Sequence, residues 1–265
     1  MIVTKGKKKV MGILKKMIIR ETCKEMAQID SKLINTSLLH KETFGPFKNY
    51  CKGEKSIVVC AAGPSLNDYK PISDAVHIAV NRSFIFDKVH FDFLFAQDYD
   101  GVRMVEEQLI EYDCVKFLGT QGNPLKMIPE SLIIKSGAKK FDTDWYIPGA
   151  GLGGEMVVDI DRRPLCNMIN VGQSVMQLAL FMNPKRIYIV GCDLSGNHFA
   201  NGNQTPEETK KQAKLMETEW KRDRDIIIDR WSEIKNFANV HYPDTEICSI
   251  NPIGLKGLFT DIYQN

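Results

Sequence analysis

Hydrophobic and polar positions along this chain fall into blocks that switch between helical and extended periods. Residues 11–42 carry apolar side chains at mixed three- and four-residue spacings with no proline, which predicts a helix closed by Gly45-Pro46. After a connector, residues 56–66 run from a buried strand of small and β-branched residues into a sharp turn at Gly63-Pro64. Residues 67–73, with Pro71 inside, are too short and broken for a full crossover helix. Strands are predicted at 76–80, 92–96 and 115–118, a helix at 102–112, and a further apolar run at 129–135.

From Lys139 to Pro164 the periodicity weakens. Trp145, Tyr146, Pro148 and four nearby glycines predict an irregular excursion over 139–169, whose aromatics either line a pocket or decorate a surface loop. Order returns with an apolar helix over 170–182, ended by Asn183-Pro184, and a clear strand at 186–190. A polar stretch leads to a long charged helical region after Pro206, which either reaches about Ala238 or breaks near 223–229, with Trp220 and Trp231 on its buried side. Residues 246–250 form the last expected strand.

Strands separated by helices predict an α/β fold: a mostly parallel sheet with helices on both faces. Such sheets gather function at the carboxyl ends of their strands. Four polar clusters fall there: Gly63-Pro64-Ser65, Asn81-Arg82-Ser83, Gln97-Asp98-Tyr99-Asp100, and Asp193 with its following loop. A basic, mostly helical extension (1–54) is expected to precede the sheet domain (55–265).

Charge and cysteine usage narrow the picture. The formal net charge of +2 conceals a leading segment, 1–24, with eight lysines and arginines against Glu21 alone. Interspersed with Val10, Met11, Ile13, Leu14 and Met17–Ile19, it is either a solvated lead into a packed helix or a peripheral contact for the anionic inner face of a membrane. No basic stripe interleaved with aromatics points to nucleic acid. Seven scattered cysteines with no CxxC pair argue against a disulfide framework and a structural zinc site, and fit a reducing, cytoplasmic compartment.

The small-residue turn at Ala62-Gly63-Pro64-Ser65 suits backbone N–H groups facing a phosphate, although it matches neither common glycine-rich fingerprint. Asp98 and Asp100 either hold a divalent ion or cap the following helix. Asp193 either orients a base or acceptor hydroxyl, or caps its strand. His198, following the Asp193 loop, is the best-placed general base. His77 reads as core, and His40 and His90 have no evident partners. Arg82, Arg162, Arg163 and Lys185 are candidate phosphate ligands. No GxSxG elbow, HExxH or kinase signature is present.

Three segments together form a distinctive set: Ala61–Leu66, Ala79–Ser83, and Asn170–Val175 ahead of Arg186–Leu194. Over roughly residues 55–255 the set resembles a superfamily joining bacterial lipooligosaccharide sialyltransferases, motility accessory factors linked to flagellin glycosylation, and archaeal-type hydroxymethylpterin pyrophosphokinases. The resemblance implies a Rossmann-like sheet with a small lid, here the helical region 197–238. It implies a glycosyltransferase moving a sugar from a nucleotide-sugar donor, CMP-linked in the sialyltransferase branch, to a bacterial surface glycan or lipid-linked acceptor. On the resemblance, Ala62–Ser65, Asn81 and Gly172-Gln173-Ser174 would lie by the nucleotide and Asp193 below the acceptor; from the residues' own chemistry, Arg82 would join the nucleotide site and Asp98 and His198 would serve the chemistry with Asp193. An ATP-dependent pyrophosphokinase acting on a pterin-like alcohol and a non-catalytic nucleotide-binding accessory protein are the alternatives. The chain departs from the sialyltransferases in having Ala62 where an asparagine is usual, no tyrosine in 194–199, and no histidine in 199–240.

Overall fold

The computed structural model describes residues 2–120, 127–144, 155–166, 170–194, 198–199 and 206–264, with 2–14, 25 and 206–223 described as backbone only. Eight strands form one sheet: β1 (Ser56–Cys60), β2 (Val76–Val80), β3 (Phe93–Ala96), β4 (Val115–Thr120), β5 (Lys139–Asp142), β6 (Arg186–Val190), β7 (Glu246–Ile250) and β8 (Thr260–Ile262). Their order is β5-β4-β3-β2-β1-β6-β7-β8, and every neighbouring pair is parallel. This is the α/β fold with a parallel sheet that the strand–helix alternation predicts, and the Rossmann-like sheet that the motif resemblance implies.

Parallel strands are buried on both faces, so they read as continuous apolar runs. In β1, Ile57 and Val59 point into one core while Val58 and Cys60 point into the other. The first core packs under α1 (Ile2–Thr43), α4 (Val171–Phe181) and α5 (Pro206–His241), through Phe44, Leu178, Trp231 and Ile234. The second is covered by the short α2 (Glu106–Glu111) and α3 (Glu130–Lys135) and by one-turn 3-10 segments, through Leu66, Phe84, Leu109 and Leu132. Long helices on one face and short ones on the other follow from the connections. The chain steps from β1 to β5 by abbreviated crossovers, then returns to lay β6 beside β1 and continues outward through α5.

That return makes β1/β6 the point where the strand order reverses, and its carboxyl end is the crevice in which open α/β sheets bind ligands.

Several expectations are corrected. Lys139–Asp142, expected to open the irregular excursion, is strand β5, because Phe141 is fully buried against Phe95 and pairs the segment with β4. The helix expected over 102–112 is confined to Glu106–Glu111, since the preceding turn is organised by the Asp98 cap. α5 is continuous and reaches His241, with Trp231 fully buried; the side chain of Trp220 lies outside the described residues. Trp145 and Tyr146 are also outside them. β8 was not expected. It is short and half-exposed, so its period is faint.

His40 is fully buried, not partnerless. Its Nδ1 faces the carbonyls of Ile160 and Arg163 at 2.9 and 2.8 Å, and its Nε2 accepts from the Asp142 amide at 2.8 Å. The Asp142 carboxylate accepts from Thr36 at 2.7 Å and from Thr120 at 2.5 Å. These bonds fasten the last turns of α1 to the carboxyl end of β5. Among the described residues, no helix is long and apolar enough to cross a membrane.

Candidate functional site

The site is built where β1, β2, β3 and β6 end. After β1, the chain turns at Gly63 into a 3-10 segment, Pro64–Asp68. After β6, Gly191 takes φ +71° and folds the chain back so that the Gly191 carbonyl accepts from Gly63 N at 2.7 Å. Asp193 is 5% exposed and accepts from both Ser65 N, at 2.7 Å, and the Ser65 hydroxyl. A Cβ on Gly63 would collide with the Gly191 carbonyl and lie 2.7 Å from Asp193 Oδ2, so only glycine fits that position. The two loops are therefore cross-braced.

This changes the reading of the turn. The sequence suggests N–H groups presented to a phosphate, but the Gly63 and Ser65 amides are committed to the β6 loop. Asp193 acts here as a positioning group: its carboxylate holds Ser65, which fixes the wall formed by Ala62–Ser65.

At the end of β2, Asn81 adopts φ +54°, a left-handed conformation tolerated by asparagine. Its amide lies close over the Cα of Gly101, where any Cβ would strike it. Its buried Oδ1 has no hydrogen-bond partner. Ser83 ties the strand ends together, donating to the Cys60 carbonyl at 2.6 Å and accepting from Val80 N at 2.8 Å. Beyond β3, Asp98 Oδ1 accepts from Gly101 N at 3.1 Å and caps the short turn, and Asp100 pairs with Arg103 at 3.3 Å. Among the described residues, no group of three or more His, Cys, Asp or Glu is arranged to hold a metal ion.

Arg82 and His198 face one another electrostatically. Burial, and then the Arg82 charge, depress the His198 imidazole to a pKa of about 4, so it is neutral across the physiological range. Burial also lowers the Arg82 guanidinium. The segment carrying His198 is pinned by Phe199 N donating to the Ala62 carbonyl at 2.9 Å and by Phe199 packing edge-on to Phe86.

α4 runs back from the carboxyl edge, and its cap, Asn170, accepts from Gly172 N at 2.7 Å. The Asn170 carbonyl takes the Gln173 and Ser174 amides at 2.9 and 3.3 Å. The Gly172, Gln173 and Ser174 amides are thus already used. Gln173 and Ser174 are fully buried; Gln173 Nε2 donates to the Ile227 carbonyl of α5 at 2.8 Å, while Gln173 Oε1 and Ser174 Oγ have no partner.

The structure gathers Ala62–Ser65, Asn81, Arg82, Asp98, Asp193, Gly172–Ser174 and His198 around one sheet edge. It leaves Lys185 at the opposite edge, where its amide bonds the Lys55 carbonyl ahead of β1. Arg163 lies beside the His40 anchor and pairs with Asp159 at 3.4 Å. A polar groove of about 520 Å³, lined by Asn67, Lys88, Asn251 and Gln264, opens beside Phe199, whose carbonyl accepts from Asn67 Nδ2 at 3.3 Å. Asn251 and Gln264 escaped the sequence reading because β8, which brings them there, carries little period. The Asn-Pro after β7 was the one available signal.

No protein-family model matches the chain, and no curated protein matches it. Solved structures similar to it include the sialyltransferase CST-II in complex with trisaccharide acceptor and CMP, at 11% identity and a TM-score of 0.45, over 80% of this chain and 87% of that one. CstII from Campylobacter jejuni with CMP-3FNeuAc is similar at 14% identity and a TM-score of 0.42, over 80% and 87% of the two chains. The MAf glycosyltransferase from Magnetospirillum magneticum AMB-1 is similar at 12% identity and a TM-score of 0.45, over 87% of this chain and 38% of that protein. The likeness is remote in each case.

Proposed function

We propose that the protein is a glycosyltransferase that binds a nucleotide-sugar donor at the β1/β6 crevice and passes the sugar to a hydroxyl of a bacterial surface glycan or its lipid-linked precursor. One observation supports the reading: Asn81 Oδ1 after β2, and Gln173 Oε1 and Ser174 Oγ in the first turn of α4, are buried without a hydrogen-bond partner. A buried polar atom without a partner costs about 1–3 kcal/mol, a cost that a bound ligand's hydroxyl, amide or phosphate groups remove. The motif resemblance set out above supplies the class of ligand.

The nucleotide lies against the wall of Ala62–Ser65, with Asn81 and Gln173-Ser174 making its polar contacts. Arg82 is the cation for the donor phosphate, and the polar groove of Asn67, Asn251 and Gln264 receives the hydroxyl-rich acceptor. In the transfer, the acceptor oxygen bonds to the anomeric carbon, the bond from that carbon to the phosphate oxygen breaks, and its electron pair leaves with the nucleotide. The acceptor proton goes to the His198 imidazole. Burial, and then the Arg82 charge, make His198 a weak base. An anionic donor phosphate beside Arg82 offsets that positive field and raises the imidazole toward the range in which it accepts a proton. The base is therefore strengthened by the donor it serves. Asp193 and Asp98 hold the loops in place.

Thermal stabilisation against CMP, UDP, GDP, CDP and ATP, with and without Mg²⁺ or Mn²⁺, tests this, because a ligand at about 100 times its Kd stabilises by about 2.7 kcal/mol. A shift with one sugar-carrying nucleotide class, followed by donor consumption with an acceptor, is expected. Preference for ATP with AMP release would instead mark a pyrophosphokinase, and binding without turnover would mark an accessory protein.

A further inference from the structure

The turn between β3 and α2 holds one apolar side chain out to solvent beside the candidate site. Asp98 caps the turn through Gly101 N, and the Tyr99 carbonyl accepts from Val102 N at 3.0 Å and Arg103 N at 2.8 Å. Val102 and Val105 are buried in the core beneath, and the Tyr99 hydroxyl bonds the Glu106 carboxylate in the first turn of α2. Met104, between the two valines, is 73% exposed. Core packing therefore makes no demand on it.

Its sulfur nevertheless has a definite neighbour. Arg82 Nη1 donates to Met104 Sδ at 3.7 Å. Among the described residues, no carboxylate pairs with Arg82, and the thioether is its hydrogen-bond acceptor. A thioether accepts weakly, so the guanidinium stays available to a stronger anion. Met17, Met26 and Met127 are also exposed, and Met176 and Met182 are fully buried. Of the methionines whose side chains are described, Met104 is the one whose sulfur bonds a residue of the site.

Oxidation would change the character of that neighbour. The sulfur lone pair attacks one oxygen of hydrogen peroxide, the S–O bond forms and the O–O bond breaks. The other oxygen leaves as water after taking the proton of the transferred one. Sulfur gives up two electrons, and the peroxide is reduced. The product sulfoxide is polar, and its oxygen accepts a charge-assisted hydrogen bond from the guanidinium already in contact with the sulfur. A methionine sulfoxide reductase reverses the step, with two electrons from a dithiol and the oxygen released as water.

We propose that Met104 is a redox modification site, whose oxidation to the sulfoxide by a peroxide occupies Arg82 and weakens the binding of an anionic ligand there. This rests on the reading of Arg82 as a cation for phosphate, and not on sugar transfer itself.

The probe is inorganic phosphate, titrated into the full chain and read on the Arg82 Nε–H resonance, which Arg82→Gln assigns by its loss. Peroxide is expected to add one oxygen to the peptide carrying Met104, seen by mass spectrometry, while Met176 and Met182 stay reduced. The oxidised protein is expected to show a shifted Arg82 resonance before phosphate is added and to bind phosphate about fivefold more weakly. Reductase with dithiothreitol should restore both. Met104→Leu should bind phosphate as the reduced protein does and ignore peroxide, whereas Met104→Gln, with a permanent amide acceptor, should bind weakly without it. Both changes are at an exposed side chain, so the fold is kept. An unreactive Met104, unchanged phosphate affinity after its oxidation, or an equal loss in peroxide-treated Met104→Leu would overturn the proposal. Absence of phosphate binding in the reduced protein would overturn it together with the role of Arg82 as the donor's cation. Redox-dependent phosphate binding in a protein that consumes no nucleotide sugar would support it and overturn the transferase reading alone.

Discussion

Two sets of buried polar groups sit at the carboxyl edge of this sheet, and they are finished differently. At β5, His40 and Asp142 have every side-chain polar atom engaged, through Ile160, Arg163, Thr36, Thr120 and the Asp142 amide. After β2 and in the first turn of α4, Asn81, Gln173 and Ser174 each keep a buried atom unpartnered. The His40 and Asp142 side chains are fully engaged and fasten a helix to a strand, although Thr143 Oγ1 beside Asp142 has no partner. The second set keeps hydrogen-bonding capacity, which the proposed ligand would use. Burial and polarity alone do not separate a structural anchor from a binding site; the remaining hydrogen-bonding capacity does.

The largest effect is expected at the brace that supports the second set. Gly63→Ala forces a Cβ into the Gly191 carbonyl and Asp193, both fixed by hydrogen bonds. It should cost about 2–3 kcal/mol in urea denaturation and abolish nucleotide-induced stabilisation. A variant that kept both would remove the brace from the account of the site.

His40→Ala should cost about the same or slightly less, by leaving the Ile160 and Arg163 carbonyls and the Asp142 amide unpartnered, while the ligand-induced shift of the folded protein persists. The same residue sets a pH dependence. Burial lowers its folded pKa below the ordinary 6.5, so the unfolded chain binds the proton first as pH falls. Its contribution is full above 6.5 and lost as pH falls from there toward the lowered folded value. Removing His40 should flatten that limb in a pH series of unfolding curves; the contributions of His77 and His198, lowered in the same direction, would remain.

Arg82→Gln should weaken nucleotide binding about tenfold and raise the His198 pKa from about 4, read by NMR titration of the ring. An unmoved His198 would show that burial alone depresses it.

Ser174→Ala should be the gentlest change to the fold and the sharpest contrast with His40→Ala. It removes a hydroxyl that has no partner, so stability should stay within about 0.5 kcal/mol or rise, while the ligand-induced shift shrinks. Loss of stability with an intact ligand response would reverse the comparison and make Ser174 an anchor.

Much of this was legible along the chain. The run Ile57–Cys60 declared a doubly buried strand because both faces of a parallel sheet need apolar residues, and the polar clusters at 63–65, 81–83, 98–100 and 193 fell at strand ends because strands of this length leave no other room. Phe141 was harder to place. Its strand has one fully buried residue among half-buried neighbours, so the period was too weak to see. His40 was harder still, since its three partners lie more than 100 positions away.

The sequence by itself determined the strand–helix alternation, the parallel sheet it implies, and the residue types available at each strand end, because local periodicity records which faces are buried. Tertiary structure alone decided what those residues do. It spent the Gly63 and Ser65 amides and the Asp193 carboxylate on one another, placed Arg82 beside His198, and left Asn81, Gln173 and Ser174 unsatisfied. The physical reason is that hydrogen bonds and electrostatic fields depend on distance in space, and the pairs that matter here are joined only by the chain's return to lay β6 against β1.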